Sequence, residues 1–555
     1  MRRLSPDDDA LYFLPLGGSD EIGMNVNLYG HAGEWLMIDL GITFGDDTTP
    51  GLDIILPDIS AIEEHRDQLC GLLLTHGHED HIGAVAHLWP KLRCPIYCTP
   101  FTASILRRKL DDAGLLREVT LHEVALGANF VIGPFEIEML TMTHSIPEPS
   151  GIVLRTAAGT VVHTGDWKFD PTPFVGAVTD EDAIRAVGDE GVLAMVGDST
   201  NVFVPGTTGS EAEVRMALTE LFSQYSKRIA AACFASNVAR LESVAIAAAA
   251  NDRQTALVGR SLWRMHDAAK ENGYLADLPP FVRENEAGFF PEDKIVMICT
   301  GSQGEPRAAL SRIAEGSHPH ATLGEGDVCF FSSRQIPGNE LAIARVQNRL
   351  AGRGIEIVTT EDQPGIHVSG HPARDDLARM YQLGRPRIAI PVHGDARHLR
   401  EHARLAKACQ VPQALVPANG SMIRLAPGPA EIVEWVDSGA LTLDGGRLVS
   451  LTADSLQDRR RMLHNGAAAV TVVMDAKGGL RADPVISFTG IADGDDLEDL
   501  SLDAADAVRD ALNSMSSKDR RRDEPVREAA RRMVRRLIKA EFGKRPVTDV
   551  HVVRV

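Results

Sequence analysis

The stretch Thr75-His76-Gly77-His78-Glu79-Asp80-His81 holds the densest set of chemistry-bearing side chains in this 555-residue chain. It follows Gly71-Leu72-Leu73-Leu74, a short apolar run that reads as a buried strand, and precedes residues 82–88, which read as the first turns of a helix. The histidines and the aspartate therefore sit on a loop at the C-terminal end of a strand, where α/β enzymes place their chemistry. His76 and His78 flank a glycine, so the backbone can turn both imidazoles towards one point. Asp80 and His81 are adjacent and can face a second point nearby. Neutral imidazole and carboxylate are the ligand types that suit zinc in a hydrolytic site. Any one of these histidines alone would read as a solvated loop residue; four ligand-type residues within six positions do not. His87, on the helix that follows, reads as a surface residue.

The pattern His76-x-His78-x-Asp80-His81 resembles the signature loop of the metallo-β-lactamase fold. The elements around it agree with that resemblance. Strand-like runs at Tyr12-Phe13-Leu14, residues 26–29 and residues 35–39 alternate with glycine turns, as in the opening β-meander of that fold. Asn25, at the end of the loop 17–25, is a candidate to support the site, and Asp39, ending its strand, is a candidate to orient a metal-bound histidine. Residues 41–57 read as a long loop, a rim of the cleft. Further on, residues 135–140 form a strand ending in Thr143-His144-Ser145-Ile146-Pro147, and Val161-Val162-His163-Thr164-Gly165-Asp166 repeats the pattern. Alone, His144 could be a strand-end core histidine and Asp166 a turn former. With the first loop they supply a third nitrogen for one metal and a carboxylate able to bridge two. His163, inside its strand, reads as structural. Asp198 ends another strand; it reads equally as a helix N-cap or turn residue and as a functional acid.

From about Gly206 the texture becomes alternating helices and short apolar strands, the rhythm of βα units and a parallel sheet. Ser302 (in 299–305) and Ser332 and Ser333 (in 330–334) lie on strand-to-helix loops of the kind that can hold phosphate on backbone amides, or that are ordinary βα turns. Ile366-His367-Val368-Ser369-Gly370-His371-Pro372 is a histidine-rich, small-residue loop. Residues 387–392 form one more strand, ending in His393, the position that a last metal ligand needs. His398 and His402, on the next helix, read as surface residues. Residues 420–449 read as strands finishing the first domain, and residues from about 467 as a small α+β tail. The tail's last helix carries Arg531, Arg532, Arg535, Arg536 and Lys539; it reads as a solvated or oligomerisation helix before an RNA contact.

The totals bound the rest. The chain is too long for one hydrophobic core, and 44% hydrophobic with 24% charged residues is an ordinary soluble composition. Seven scattered cysteines without a CxxC pair read as reduced thiols of a cytosolic protein, so cysteine-bound zinc is not expected. Met1-Arg2-Arg3 followed by Asp7-Asp8-Asp9 is not a signal peptide, and no run of about 18 apolar residues predicts a membrane span. A net charge of −20 argues against indiscriminate nucleic-acid coating but not against a nuclease whose site carries metal cations.

The α/β cassette between Asp166 and His393, with Asp198, His371 and His393 in order, is similar to the β-CASP branch of the fold, whose members act on nucleic acids. The whole order resembles the ribonuclease J family. That resemblance implies an α/β architecture: a metallo-β-lactamase αββα sandwich (1–205 and 366–450), an inserted β-CASP domain (206–365) and a C-terminal region (451–555) with a small α+β domain. It implies two zinc ions per chain, one held by His76, His78 and His144, the other by Asp80, His81 and His393, with Asp166 bridging. It implies His371 as general acid supported by Asp198, with Asp80 also catalytic. The loop His367, Val368, Ser369, Gly370, His371 would contact substrate, with Ser302, Ser332 and Ser333 as further phosphate candidates. The expected activity is endonucleolytic and 5′-to-3′ exonucleolytic cleavage of single-stranded RNA, favoured by a 5′-monophosphate, in mRNA decay and ribosomal RNA maturation. A cytoplasmic homodimer or homotetramer is expected, with an RNA helicase or ribosome-associated factors as partners and no membrane. A DNA-repair nuclease of the same branch, or an inactive RNA-binding scaffold, are the rival readings.

Overall fold

The structure, a computed structural model, describes residue 6, residues 9–45 and residues 48–555. Residues 1–3 and 7–8, read above for a leader, lie outside the described residues. The chain divides into two compact units, one of residues 1–44 and 54–441, the other of residues 45–53 and 442–555.

Two sheets form the centre of the first unit. Strands Leu11–Gly17, Val26–His31 and Glu34–Ile38 pair antiparallel, then Leu69–Leu73, Ile96–Cys98 and Leu121–Glu123 continue in parallel. Ser421–Ala426 and Glu431–Trp435 close the far edge of this eight-stranded sheet. The second sheet has seven strands. It runs antiparallel through Asn129–Ile132, Phe135–Thr141, Ser150–Thr156 and Gly159–His163, then parallel through Ala194–Asp198, Ile388–Val392 and Gln413–Ala414. Period-2 patterning sends Phe13, Tyr29, Leu36, Ile38 and Leu73 of the first sheet and Phe135, Ile137, Met139, Ile152 and Leu154 of the second into one shared core. The opposite face of the second sheet is covered by helices Glu181–Glu190, Arg374–Gly384 and Ala396–Ala408 through Ile184, Leu377, Met380 and Leu405. The expected 41–57 loop is in part a hairpin: Thr43–Phe44 pairs antiparallel with Ile54–Pro57. The short apolar run Ile54-Ile55-Leu56, buried towards its end, was the available signal for it.

Between strands Ala194–Asp198 and Ile388–Val392 the chain builds a third sheet. Its six strands are all parallel: Val282–Arg283, Gln254–Val258, Ile295–Cys299, Ile229–Ala232, Val328–Phe331 and Glu356–Val358. Buried on both faces, its central strands are near-continuous apolar runs such as Ile229-Ala230-Ala231-Ala232. Helices Glu211–Phe222 and Val238–Ala250 cover one face and Ala309–Glu315 and Glu340–Ala351 the other. The excursion closes where it began, because Asp198 pairs in parallel register with Val392. Strand ends at 198 and 393 are therefore neighbours despite the cassette between them.

The second unit holds strands Val485–Thr489, Ala467–Met474 and Val547–Arg554 in that spatial order, with helices Asp495–Ser514 and Asp523–Phe542 contributing Leu500, Val508, Val526, Val534 and Ile538 to its core. The basic residues of the last helix lie on its outer side, where Arg531 and Arg532 pair with Glu528. All seven cysteines are free. Among the described residues no helix is long and apolar enough to cross a membrane.

One buried ion pair ties the cassette together. Arg240, fully buried on the alanine-rich helix Val238–Ala250, donates from Nε and Nη2 to the Glu211 carboxylate at 2.8 and 3.1 Å. Its Nη1 donates to the Ser332 carbonyl at 2.7 Å and hydroxyl at 2.6 Å, and to the Ile366 carbonyl at 3.3 Å. Breaking one side of such a pair strands a buried charge, whereas replacing both sides with apolar groups is far milder. Arg240→Met is expected to lower stability in urea unfolding by about 3–5 kcal/mol, and Arg240→Met combined with Glu211→Leu to recover most of that loss.

Candidate metal centre

The strand Leu69–Leu73 delivers His76 and His78 on its loop, and the one-turn helix Glu79–Ile82 carries Asp80 and His81. Glycine at 77 answers to close packing: a Cβ there would meet the Ile105 side chain at 2.8 Å. His144 follows strand Phe135–Thr141, Asp166 follows Gly159–His163, and His393 follows Ile388–Val392. All seven converge at one end of the two-sheet sandwich in two groups that share Asp166. In the first, His76 Nε2 lies 3.0 Å from His78 Nδ1, His144 Nε2 lies 3.2 Å from the same atom, and Asp166 Oδ2 is 3.8 and 4.0 Å from His76 and His144. In the second, His81 Nε2 and His393 Nε2 approach Asp166 Oδ2 to 3.2 and 3.6 Å and Asp80 Oδ2 to 3.6 and 3.7 Å.

Hydrogen bonds behind the rings point the free nitrogens inward. His81 Nδ1–H donates to Asp39 Oδ2 at 2.7 Å. Thr75 Oγ1 donates to Asp39 at 2.9 Å and so receives the Nδ1–H of His76 at 3.1 Å. His144 Nδ1–H donates to the Gly370 carbonyl at 2.6 Å, an approach that a side chain at 370 would block, since a Cβ there would meet the His144 ring at 2.6 Å. His393 Nδ1 lies 3.1 Å from Asn25 Oδ1, and Asn25 Nδ2 donates to the Asp80 carbonyl at 3.1 Å. Asp39 and His393 adopt left-handed backbone with φ of 63° and 54°, a strain sustained by these surrounding bonds.

The donor set fits divalent metal. Burial, then neighbouring imidazoles, hold His76 and His78 well below the usual imidazole range, and burial takes His144 down to about 3, so these nitrogens keep their lone pairs in acid. Burial also opposes charge on His81, but Asp166, Asp80 and Asp39 outweigh it and raise that imidazole well above its ordinary value. The carboxylates that draw a proton there would equally draw a cation. Lone pairs this close repel unless a cation lies among them, and imidazole with carboxylate is a set that transition-metal dications favour.

Beside the cluster, His371 Nδ1 donates to Asp198 Oδ2 at 2.8 Å and lies 3.7 Å from Asp166 Oδ2. Asp166, Asp198, His371 and His393 also lie close enough to form a third ligand group. The 2.8 Å bond commits Asp198 and His371 to each other. Although burial disfavours the charge, Asp198 and Asp166 raise His371 to about 9.

The loop residues divide. Ser369 accepts the Asn201 amide at 2.8 Å and the His371 N–H at 3.2 Å, and Gly370 covers His144. Val368 lines a small cavity with Ser369, Ser145, Lys168 and Phe174. His367 turns away to Arg240 Nη1, at 3.2 Å. Ser302, Ser332 and Ser333 are buried at cassette strand ends, and the Ser332 hydroxyl donates to the Ile366 carbonyl. His163 is structural, with Nδ1 3.0 Å from the Tyr29 hydroxyl.

His402, expected at the surface, is buried between the Ser199 hydroxyl at 2.8 Å and the Tyr381 hydroxyl at 2.9 Å. The cause is helical period: Leu399, His402, Leu405 and Ala406 share the inward stripe. That spacing was visible. Asn201 and the Arg240–Glu211 pair were missed as working residues; only an arginine inside an apolar helix offered a signal.

Comparison with known proteins agrees with this geometry. Family models match residues 48–196 (beta-lactamase superfamily domain), 226–350 (ribonuclease J, beta-CASP domain), 364–412 (Zn-dependent metallo-hydrolase RNA specificity domain) and 454–555 (ribonuclease J C-terminal domain). The chain is 42% identical over 553 residues to ribonuclease J of Sinorhizobium meliloti, covering 99% of this chain and 98% of the relative. It is 37% identical over 547 residues to ribonuclease J of Mycolicibacterium smegmatis, covering 97% and 96%. A solved structure, a protein of unknown function from Enterococcus faecalis V583, aligns with TM-score 0.51 at 16% identity over 75% of this chain and 100% of that one, a likeness of fold. The architecture is thus the expected one: a metallo-β-lactamase fold with an inserted β-CASP domain and a C-terminal domain.

His402 supplies a test of the structure around the centre. Burial lowers it from 6.5 to about 4. The unfolded chain therefore takes up this proton first, and the stability from neutral His402, complete above pH 6.5, is lost as pH falls towards 4. The loss is on the order of 3 kcal/mol. His402→Gln is expected to flatten that part of the stability–pH curve; an unchanged slope would contradict the burial.

Proposed function

This chain belongs to the ribonuclease J family and hydrolyses phosphodiester bonds, and from that premise we propose that it is a zinc-dependent ribonuclease of single-stranded RNA. It acts as a 5′-to-3′ exonuclease and as an endonuclease, prefers 5′-monophosphate ends, and serves mRNA decay and ribosomal RNA maturation as a cytoplasmic homodimer or homotetramer, with an RNA helicase or ribosome-associated factors as partners. The observation that carries this reading is the pairing of a largely buried cluster of seven ligand-type residues with the His371–Asp198 bond at its edge. The match to an RNA specificity domain over 364–412 supports RNA as the polymer.

His76, His78 and His144 would hold one zinc ion, Asp80, His81 and His393 the other, with Asp166 shared. When bound, the two ions supply Lewis acidity for activating water and neutralise charge on the phosphate. The remaining work belongs to the chain. Asp80 is the least buried of the ligand carboxylates, its side chain 31% exposed, and so borders the substrate. His371, whose imidazolium form the bonded Asp198 carboxylate favours, gives its proton to the departing 3′ oxygen, which leaves a 5′-phosphate on the downstream product. Asp198 orients that imidazole through Nδ1, and is itself fixed by the Thr200 N–H, which donates to Asp198 Oδ1 at 2.8 Å. Ser369, the Gly370 amide and His371 receive a substrate phosphate, with Ser302 and Ser333 further along the cassette.

Matched 5′-monophosphorylated RNA and DNA oligomers test this. The wild type is expected to convert RNA to mononucleotides and to spare DNA. His371→Ala should lower kcat by about 10²–10⁴ with metal content unchanged, and Asp80→Ala should lose metal and cleavage together. Equal cleavage of DNA would move the assignment to a DNA nuclease, and no cleavage of either by metal-loaded protein would contradict the nuclease reading.

A further inference from the structure

The segment that carries Asp198 continues as Ser199-Thr200-Asn201-Val202-Phe203. Asn201 is buried, and its Nδ2 donates to Ser369 Oγ at 2.8 Å and to the His371 carbonyl at 3.0 Å. Its Oδ1 accepts Arg334 Nη1. Arg334 is also fixed from behind, since Gln303 Nε2 donates to the Arg334 carbonyl at 2.8 Å while Gln303 Oε1 accepts the Ile336 N–H at 2.9 Å. Two residues past Asn201, Phe203 is 48% exposed. The Arg397 guanidinium lies over its ring at 5.5 Å from the centre, and the His398 ring meets it edge-on at 5.2 Å. Burial lowers His398; Asp395, 3.7 Å from its Nδ1, opposes this, and Arg334 and Arg397 both add to it, so the two arginines and one carboxylate surround this ring.

A lone exposed phenylalanine is unremarkable on a protein surface, and its company is what gives this one meaning. In a chain of net charge −20, neither Arg334 nor Arg397 forms an ion pair among the described residues. Nearby Arg374 and Arg379, by contrast, find Glu401 and Glu181. An exposed aromatic ring with guanidiniums close by and without ion pairs of their own is the combination that holds single-stranded nucleic acid, bases stacking on the ring and phosphates meeting the cations. The patch joins the candidate general acid through one side chain, Asn201.

We infer that Phe203, Arg334 and Arg397 form a docking platform for the single strand next to His371, one base stacking on Phe203 and backbone phosphates meeting the two arginines. This deepens the ribonuclease reading and rests on it. None of the three touches the metal ligands, so the platform governs binding and leaves the chemical step alone.

The test combines turnover with binding. Phe203→Ala should raise KM for single-stranded RNA about tenfold, as loss of one base–aromatic stack implies, with kcat close to wild type; Phe203→Tyr should restore KM and Phe203→Leu should not. Arg334→Gln and Arg397→Gln should each reduce the slope of log affinity against log salt by about 0.7, read by fluorescence anisotropy on a single-stranded RNA with phosphorothioate linkages. Variants that match the wild type in KM and salt slope while RNA is still cleaved would overturn the platform and leave the ribonuclease reading standing. Wild-type protein that binds the phosphorothioate strand with the expected variant losses but cleaves no RNA would overturn the ribonuclease reading and keep the platform.

Discussion

One carboxylate oxygen, Asp166 Oδ2, lies within 3.2–4.0 Å of ring nitrogens of five histidines, His76, His81, His144, His371 and His393. Such an arrangement is costly, because it buries an anion among groups that cannot all be protonated. The imidazoles hold Asp166 well below the usual carboxylate range despite burial. Everything else at this end of the sandwich keeps that knot in place. Asp39 and Thr75 turn His81 and His76, the Gly370 carbonyl turns His144, and Asn25 backs His393. Four of the seven candidate ligand side chains are thereby held in orientation from behind, which is what a high-affinity site requires.

The cassette is compatible with the knot because of strand register. Parallel pairing of Ala194–Asp198 with Ile388–Val392 sets the exit and re-entry points side by side, so a whole parallel sheet can be inserted without moving His393. The same register brings the 198–203 segment against the 366–371 loop. Asp198 then reaches His371, and Asn201 reaches Ser369, the His371 carbonyl and Arg334 at once. Arg240 performs the corresponding task inside the cassette, joining Glu211, Ser332 and Ile366 beneath that loop. The candidate metal ligands, the proposed proton donor and the proposed strand-docking surface thus share one framework.

Much of this was legible in the chain. Ligand residues fall directly after apolar strands, so His76, His144, Asp166 and His393 announced themselves by local pattern, and the distance from Asp166 to His393 announced the insertion. What local pattern cannot carry is partnership across the fold. Arg240 gave no hint of Glu211 or Ser332, since hydrogen bonds between residues so far apart in sequence depend on packing. Asn201 gave no hint of Ser369, His371 or Arg334 for the same reason. His402 was misread although its helical spacing with Leu399 and Leu405 pointed inward, because a histidine on a charged helix suggests solvent until its two hydroxyl partners are known. The hairpin of 43–44 with 54–57 is too short to stand out from a loop.

In the proposed function both ion sites depend on Asp166 as a shared ligand. Elemental analysis of metal-loaded wild type and of Asp166→Asn tests it most directly. The account predicts two zinc ions per wild-type chain and a loss of more than one in the variant, with the fold intact by circular dichroism. Retention of both ions by Asp166→Asn would contradict it, because two sites that survive without this carboxylate do not share it.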